Sequence, residues 1–453
     1  MRKYLRKGGH RMSNSIAKEF KFFSLLRFAF PTMIMMVFMS LYTIVDGIFI
    51  SRLVGTDALS ATNIVYPAIS LLIAVGVMLA TGGSAIIAKK MGEKKEQEAR
   101  EDFSFIVLTG FIIGLIFMVV GNIFIDPIVR MLGSTDALMD YCVGYLSVCL
   151  YLAPACILQL LFQTFFVTAG KPILGLILTI SGGVANMVLD YLFMGVFHMG
   201  VEGAALATGI GQLIPAIIGL IYFLFVRHSL YLVKPKVRWS VLVESSFNGS
   251  SEMVTNLSGG IVTFLYNIIM LKLVGEAGVA AITIVLYGQF LFNALYMGFS
   301  MGVAPVISYN YGSKNNRMLK RIFKICMLFI AVSSVIVTMF ALIMSPIIVG
   351  IFTPVGTETY TLAKTGFLLF SLNFIFAGIN IFASSMFTAF SDGKTSAIIS
   401  FVRTFVLIVI NILVLPALIG VNGVWLSVPL AEFMSVFLSG YFFVRKKEKY
   451  NYI

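Results

Sequence analysis

Long runs of hydrophobic residues, separated by short polar segments, dominate the sequence from about residue 24 to residue 444. Each run holds about 20 or more largely apolar residues, the length at which a helix crosses the hydrocarbon core of a bilayer. The pattern predicts an all-α polytopic membrane protein with twelve transmembrane helices, at about 24–50, 61–88, 103–125, 138–168, 172–197, 203–226, 243–273, 279–308, 320–350, 359–390, 395–418 and 424–444.

The chain also repeats itself at a constant offset of 220 residues. Leu53-Val-Gly55 returns as Leu273-Val-Gly275, and Gly200-Val-Glu-Gly203 returns as Gly420-Val-Asn-Gly423. The glycines and lysine of Gly82, Gly92 and Lys94 return as Gly302, Gly312 and Lys314. An offset that equals an even number of spans predicts two lobes of six helices that run in the same direction. Parallel repeats of this kind are typical of transporters that rock two lobes about a central site.

These limits predict five segments: an N-terminal tail (1–23), an N-lobe (24–226), a linker (227–242), a C-lobe (243–444) and a C-terminal tail (445–453).

Composition and charge support a membrane location. The 453 residues are 59% hydrophobic and 12% charged, with a net charge of +13. The basic residues lie between spans rather than in one stripe or arm, which favours anionic lipid headgroups over nucleic acid as their partner. With Arg403 counted near the start of span 11, 29 of the 33 Lys and Arg residues fall on the side that carries both termini. We therefore expect a multi-pass plasma-membrane protein, monomeric, with both termini cytoplasmic.

Three first-half spans carry polar residues at matched depth. Asp46, Asp190 and Thr208 each lie roughly 8–11 Å below the outer end of their helix, at 1.5 Å per residue. Asn186 lies one turn before Asp190 on the same face. A carboxylate in hydrocarbon costs at least ~2.5–3.5 kcal/mol, so a functional role is the default hypothesis, against a helix–helix hydrogen bond as the structural alternative. Spans 5 and 6 must be neighbours, but spacing alone does not place span 1 beside them.

If span 1 is adjacent, two carboxylates, an amide oxygen and a hydroxyl converge. Oxygen ligands without Cys or His favour a hard cation such as Na⁺. Two neighbouring carboxylates in a low dielectric also favour a shared proton. The sequence leaves Na⁺ and H⁺ both open as the coupling ion, and no other cofactor is expected.

The second half lacks this cluster, because the offset carries Asp46 to Tyr266 and Asp190 to Ile410. Its spans do hold Glu252 and Glu432, and Glu432 corresponds by repeat to Gln212. Each of these three is a possible cavity or secondary coupling residue. The structural alternatives are an interfacial position for Glu252 and an interhelical partner for Glu432.

Pro31 lies fifteen residues before Asp46 in span 1. Because proline removes an intrahelical hydrogen bond, it permits a bend there, and we predict a conformational hinge. No Walker A stretch, H-E-x-x-H motif or nucleophile–base pair is present, so an enzyme is not expected.

These residues resemble the multidrug and toxic compound extrusion (MATE) family, within its MepA-like bacterial branch. The resemblance is carried by Pro31 with Val45-Asp46-Gly-Ile-Phe-Ile50, by Ala169-Gly-Lys-Pro172, by Asn186 with Asp190, and by Gly200-Val-Glu-Gly-Ala-Ala205. It covers about residues 20–445.

The resemblance implies a V-shaped, two-lobed fold that exports cationic, amphipathic drugs in exchange for Na⁺ or H⁺. It assigns Asp46, Asn186, Asp190 and Thr208 to the cation site and Pro31 to the bending proline. The alternative function is a flippase for lipid-linked precursors from the same wider superfamily, which commonly has two further helices. A membrane-embedded enzyme is a third alternative, but it would need a polar triad or metal ligands at one depth.

Overall fold

The computed structural model describes residues 15–453. The basic residues of the predicted tail up to Arg11 therefore lie outside the described part of the chain. Within it, the structure is helical and contains no β-strand. The spans are Phe22–Val54, Asp57–Gly92, Glu96–Ile123, Met139–Tyr151 with Ala153–Thr168, Pro172–Val196, Gly200–Phe225, Trp239–Val274, Glu276–Gly312, Asn316–Phe352, Glu358–Ala389, Gly393–Ile419 and Val421–Tyr450. We number them span 1 to span 12, with the bent pair Met139–Tyr151 and Ala153–Thr168 as span 4. This all-helical architecture confirms the predicted fold class.

Span 4 departs from the predicted single helix. Its two parts, Met139–Tyr151 and Ala153–Thr168, meet at an angle of 54°. Pro154 stands in the first turn of the second part, where its missing N–H removes a hydrogen bond that would otherwise continue the helix. A short helix that the hydrophobic pattern did not predict, Ile125–Met131, precedes span 4.

The predicted repeat is visible in the turns. Gly55 and Gly275 both have a positive φ, of 131° and 81°, at the break between the first two spans of each half. Lys94 and Lys314 also share a positive φ, of 65° and 56°, after the second span of each half. Equivalent positions therefore adopt the same unusual backbone conformation, which indicates that both halves follow one backbone plan.

The described part of the chain begins and ends on one side of the helix bundle, because the number of spans is even. We call this the terminal side, reached by Phe22 of span 1 and Tyr450 of span 12, and the other the opposite side. On the terminal side one hydrophobic core contains residues of both halves, among them Phe165 and Phe299. Toward the opposite side, separate cores form in the first half around Tyr145 and in the second half around Tyr266. The halves thus share one core on the terminal side and have separate cores toward the opposite side.

Backbone contacts seal the terminal side. A Cβ on Gly82 of span 2 would overlap the carbonyl oxygen of Ser245 in span 7, and one on Gly312 would overlap that of Lys89. By contrast, Gly260, which lies nearly on the same face of span 7 as Gly249 but toward the opposite side, has no neighbouring heavy atom within 4 Å of that position. The cleft between the halves therefore opens toward the opposite side.

Candidate cation site

Helix packing brings together the four first-half residues that the sequence singles out. Span 1 packs along span 5, and span 5 along span 6. The carboxyl groups of Asp46 and Asp190 approach within hydrogen-bonding reach. Asn186 donates from Nδ2 to Oγ1 of Thr208 over 3.3 Å. Span 1, which spacing could not place, thus completes the cluster.

Glycines allow this close packing. Gly182 of span 5 faces the carbonyl oxygen of Gly211 in span 6, so tightly that a side chain on Gly182 would overlap it. Gly183, the next residue, would meet Phe38 and Tyr42 of span 1. Because both neighbours of span 5 pack on small residues within a turn of Asn186, the polar side chains of three helices reach one point.

Both acid-bearing spans change helical geometry just beyond their aspartate. The α-helical part of span 5 ends at Asp190 and continues as wider π turns over Tyr191–Val196. Span 1 makes the same change over Ile50–Val54, shortly after Asp46. Wide turns of this kind interrupt the regular α-helical hydrogen-bond pattern, and they occur frequently at functional sites. Nothing in the hydrophobic pattern predicts them.

The cluster is rich in acceptors and poor in donors. Asp190 is fully buried and Asn186 is 2% exposed, while Asp46 is half-buried. Oδ1 of Asp46, Oδ1 of Asn186 and both carboxylate oxygens of Asp190 are buried without a hydrogen-bond donor. Among residues 15–453, no lysine or arginine forms an ion pair with either aspartate. Two carboxylates can bond each other only through a shared proton or cation, so the site requires an added positive charge.

Three tyrosines that the sequence reading did not single out surround the aspartates. Tyr42 lies one turn before Asp46 in span 1, and Tyr145 of span 4 lies near both acids. Tyr287 of span 8 approaches from the second half, with its hydroxyl 3.8 Å from where a Cβ on Gly47 would stand. The i, i+4 spacing of Tyr42 and Asp46 is visible in the sequence. The other two depend on tertiary packing.

The acid deep in the second half has fixed partners. Glu432 is 2% exposed and accepts from Nε of Arg403 at 2.8 and 3.0 Å and from Nδ2 of Asn380 at 2.7 Å. This agrees with the interhelical alternative. Arg403 is not near a span end, as counted from the sequence: it is buried ten residues into span 11, within π turns.

Glu252 and Gln212 remain predictions. Glu252 lies thirteen residues into span 7, half-buried, in the electrostatic field of Arg403. Gln212 is half-buried, one turn beyond Thr208 in span 6. Pro31 is buried in a span 1 that stays helical through it, so its role as a hinge is likewise a prediction.

Replacing Arg403 by Met should lower the free energy of unfolding by about 3–5 kcal/mol, because a buried carboxylate would lose its counter-charge. The double variant Arg403→Met with Glu432→Gln should recover most of that loss. The control, Arg130→Met, removes an exposed pair with Asp136 and should cost no more than ~1 kcal/mol. Thermal unfolding in detergent measures all three. Equal losses in the single and double variants would contradict the pairing.

An apolar groove of about 480 Å³ lies where spans 7 and 8 meet on the opposite side, lined by Phe264, Asn267, Ile268, Leu271, Glu276, Val279 and Ala280. Asn267 follows Gly249 by eighteen residues, or five helical turns, so both lie on one face of span 7. Because Gly249 packs against Met78 of span 2, that face points toward the first half. The groove therefore belongs to the cleft between the halves.

Comparison with known proteins identifies the family. The MatE family profile matches residues 31–192 and 253–413, well over half of the chain. This chain belongs to the MatE family. The two matched blocks are displaced by 222 residues at their starts and 221 at their ends, which agrees with the repeat. The first block contains Asp46, Asn186 and Asp190, whereas Thr208 lies beyond it.

Among its MatE relatives, the chain is similar to the multidrug export protein MepA of Staphylococcus saprophyticus, 27% identical over 431 residues with 92% of each chain covered. Its fold is similar to a crystal structure of MATE in complex with MaL6, with a TM-score of 0.87, 21% identity and 94% and 96% of the two chains covered. It is also similar to an outward-facing multidrug resistance MATE family transporter of the MOP superfamily, with a TM-score of 0.86, 22% identity and 92% and 93% coverage. The resemblance drawn from the sequence is confirmed.

Proposed function

We propose that this protein is a secondary-active antiporter that exports cationic or amphipathic drugs in exchange for Na⁺ or H⁺. The observation that carries the proposal is the buried cluster of Asp46, Asn186 and Asp190, whose four oxygens lack a hydrogen-bond donor and whose aspartates form no ion pair within residues 15–453. A site that needs a cation, and that lies beside a cleft open to one side, suits ion-driven transport. The terminal side would then be the cytoplasmic face of the plasma membrane.

The four oxygens bear on the choice of ion. One proton shared between Asp46 and Asp190 satisfies at most two oxygens, which leaves Oδ1 of Asn186 and one further carboxylate oxygen without a partner. A Na⁺ ion prefers several oxygen ligands and would satisfy all four together. Na⁺ is therefore the better fit, with H⁺ as the competing ion for the same carboxylates.

Drug binding is assigned to the cleft. The groove that includes Phe264 and Leu271 has a volume in the range of small-molecule sites, roughly 300–1,000 Å³. Its apolar lining suits the hydrophobic body of an amphipathic compound. The named activity of the MepA relative, multidrug export, agrees with this assignment.

The cycle would couple the two sites through conformation. Cation occupancy between Asp46 and Asp190 and drug occupancy of the cleft would favour different arrangements of the predicted lobes, 24–226 and 243–444, with the 227–242 segment as their linker. Because such coupling is reciprocal, each ligand would weaken the binding of the other. Pro31 would absorb the bend in span 1.

Transport in proteoliposomes tests the function and identifies the ion. Ethidium efflux should be driven by an inward Na⁺ gradient at equal pH, and more weakly by an inward proton gradient without Na⁺. Efflux that the proton gradient drives and the Na⁺ gradient does not would assign H⁺ as the coupling ion. Efflux under neither gradient would contradict antiport. A fluorescent lipid in the same liposomes serves as the control for a flippase and should not change leaflet.

A further inference from the structure

An ion-pair network on the terminal side holds the start of span 7 against the first half. Arg238 directly precedes span 7, and its Nη2 lies 2.6 Å from Oε2 of Glu101 while its Nη1 lies 2.9 Å from Oδ1 of Asp102. Lys90, at the end of span 2, also pairs with Asp102. We call Arg238, Glu101, Asp102 and Lys90 the latch. Asp102 is fully buried, so the network is part of the packed structure and not a row of charges exposed to solvent.

The latch joins elements that belong to different halves. Glu101 and Asp102 lie in span 3, whereas Arg238 leads into span 7. Farther along, Val262 and Tyr266 of span 7 are part of the separate core of the second half. One end of span 7 is thus tied to the first half while its other end is packed into the second half.

The linker beside the latch is also hydrogen-bonded to span 3. Nε of Arg100 donates to the carbonyl oxygen of Ser229 over 3.2 Å, and the backbone N–H of Val233 donates to Oγ of Ser104 over 2.8 Å. The guanidinium of Arg100 also stacks over the ring of Tyr231, at 4.5 Å. Arg238 is therefore the last residue of a segment anchored on span 3.

The repeat places a counterpart before span 1. Shifting the 235–241 segment by 220 residues gives 15–21, which contains Ile16 and Phe20. Both are buried in the core shared by the two halves, and the turn Ser15–Ala17 packs on span 8. Each half thus begins with a segment that crosses to the other half on the terminal side. The first crossing is apolar, and the second is ionic.

We propose that the latch is a conformational lock that favours closure of the terminal side, and that Arg238 is its releasable member. Opening that side must draw span 7 away from span 3, which breaks the pairs with Glu101 and Asp102. Lys90 stays with Asp102 when Arg238 leaves, so the buried carboxylate keeps a counter-charge in both states. This division of roles explains why two cations converge on one acid.

Distances between spin labels on the terminal side test the lock. Lys94 and Lys314, exposed after spans 2 and 8, would each be replaced by Cys in the full chain in nanodiscs. The four native cysteines are buried or half-buried, and the parent chain measures any background labelling. Arg238→Gln should increase the population of the long-distance, open state by about fivefold or more. Arg238→Lys, which keeps the charge, should produce a smaller increase.

Arg130→Gln is the matched control, because it removes an exposed arginine–aspartate pair outside the latch and should leave the distances unchanged. Glu101→Gln should shift them in the same direction as Arg238→Gln, by less, since Asp102 still holds Arg238. Distances in folded Arg238→Gln and Glu101→Gln that match the parent would overturn the proposal. The inference assumes alternating access, but its readout is a distance. If ion-driven efflux fails but the spin-label distances still lengthen in Arg238→Gln, the result counts against the proposed function alone.

Discussion

Asp190→Asn should reduce ion-driven ethidium efflux to the level of protein-free liposomes while leaving the protein folded. Asp190 is fully buried and contributes two of the four oxygens that lack a donor. The amide keeps the shape of the side chain but removes the charge that attracts the cation, so the ion gradient no longer drives the cycle. Efflux from proteoliposomes and the thermal unfolding midpoint measure the two properties separately.

The unfolding midpoint should stay the same or rise, because the variant no longer buries an uncompensated carboxylate. The matched control is Asp136→Asn, the same chemical change at a first-half residue whose side chain is 91% exposed. It should keep parental efflux. Full efflux in Asp190→Asn would remove this residue from the mechanism.

Gly82→Ala should strongly reduce transport through a different cause. The added Cβ would overlap the carbonyl oxygen of Ser245 and lie 2.7 Å from the backbone nitrogen of Gly249. Backbone atoms cannot move aside as a flexible side chain can. Overpacking costs ~1–3 kcal/mol, and here the cost falls on the conformation closed on the terminal side. That conformation should lose about 5–150-fold in relative population, and efflux should fall with it.

Gly259→Ala provides the comparison within the helix that Gly82 contacts. Gly259 lies in span 7, the helix that Gly82 contacts, but a Cβ there meets open space. Alanine is also a better helix former than glycine by about 1 kcal/mol. This variant should therefore transport at the parental rate. Spin-label distances on the terminal side should lengthen in Gly82→Ala alone; unchanged distances there would contradict the closed terminal side as part of the cycle.

Features that depend on local sequence could be predicted. The span lengths follow from apolar runs, and the repeat follows from glycine-containing motifs such as Leu53-Val-Gly55. The structure places equivalent turns, at Lys94 and Lys314, in the same conformation. The bend in span 4 was missed because the apolar run continues without interruption through Pro154, and a proline near the middle of a span predicts a bend only where packing favours one.

The candidate site was predictable in part. Depth and hairpin geometry predicted that Asn186, Asp190 and Thr208 lie together, since spans 5 and 6 are consecutive. The approach of Asp46 requires span 1 to pack on span 5 through Gly183, a long-range contact that spacing does not contain. Tyr145 and Arg403 were missed for the same reason. The count of Lys and Arg groups Arg403 with the basic residues near the start of span 11, because such a count cannot recognise a buried counter-charge for Glu432.

Direct cation binding tests the central claim, that the acceptor cluster takes up a small cation. Binding of radioactive Na⁺ to the purified protein would be measured against pH, with Asp190→Asn alongside. We predict one Na⁺ per chain, displaced as the pH falls and absent in Asp190→Asn. Binding that persists in Asp190→Asn would contradict the account. So would a parent protein that neither binds Na⁺ nor releases protons when the drug is added.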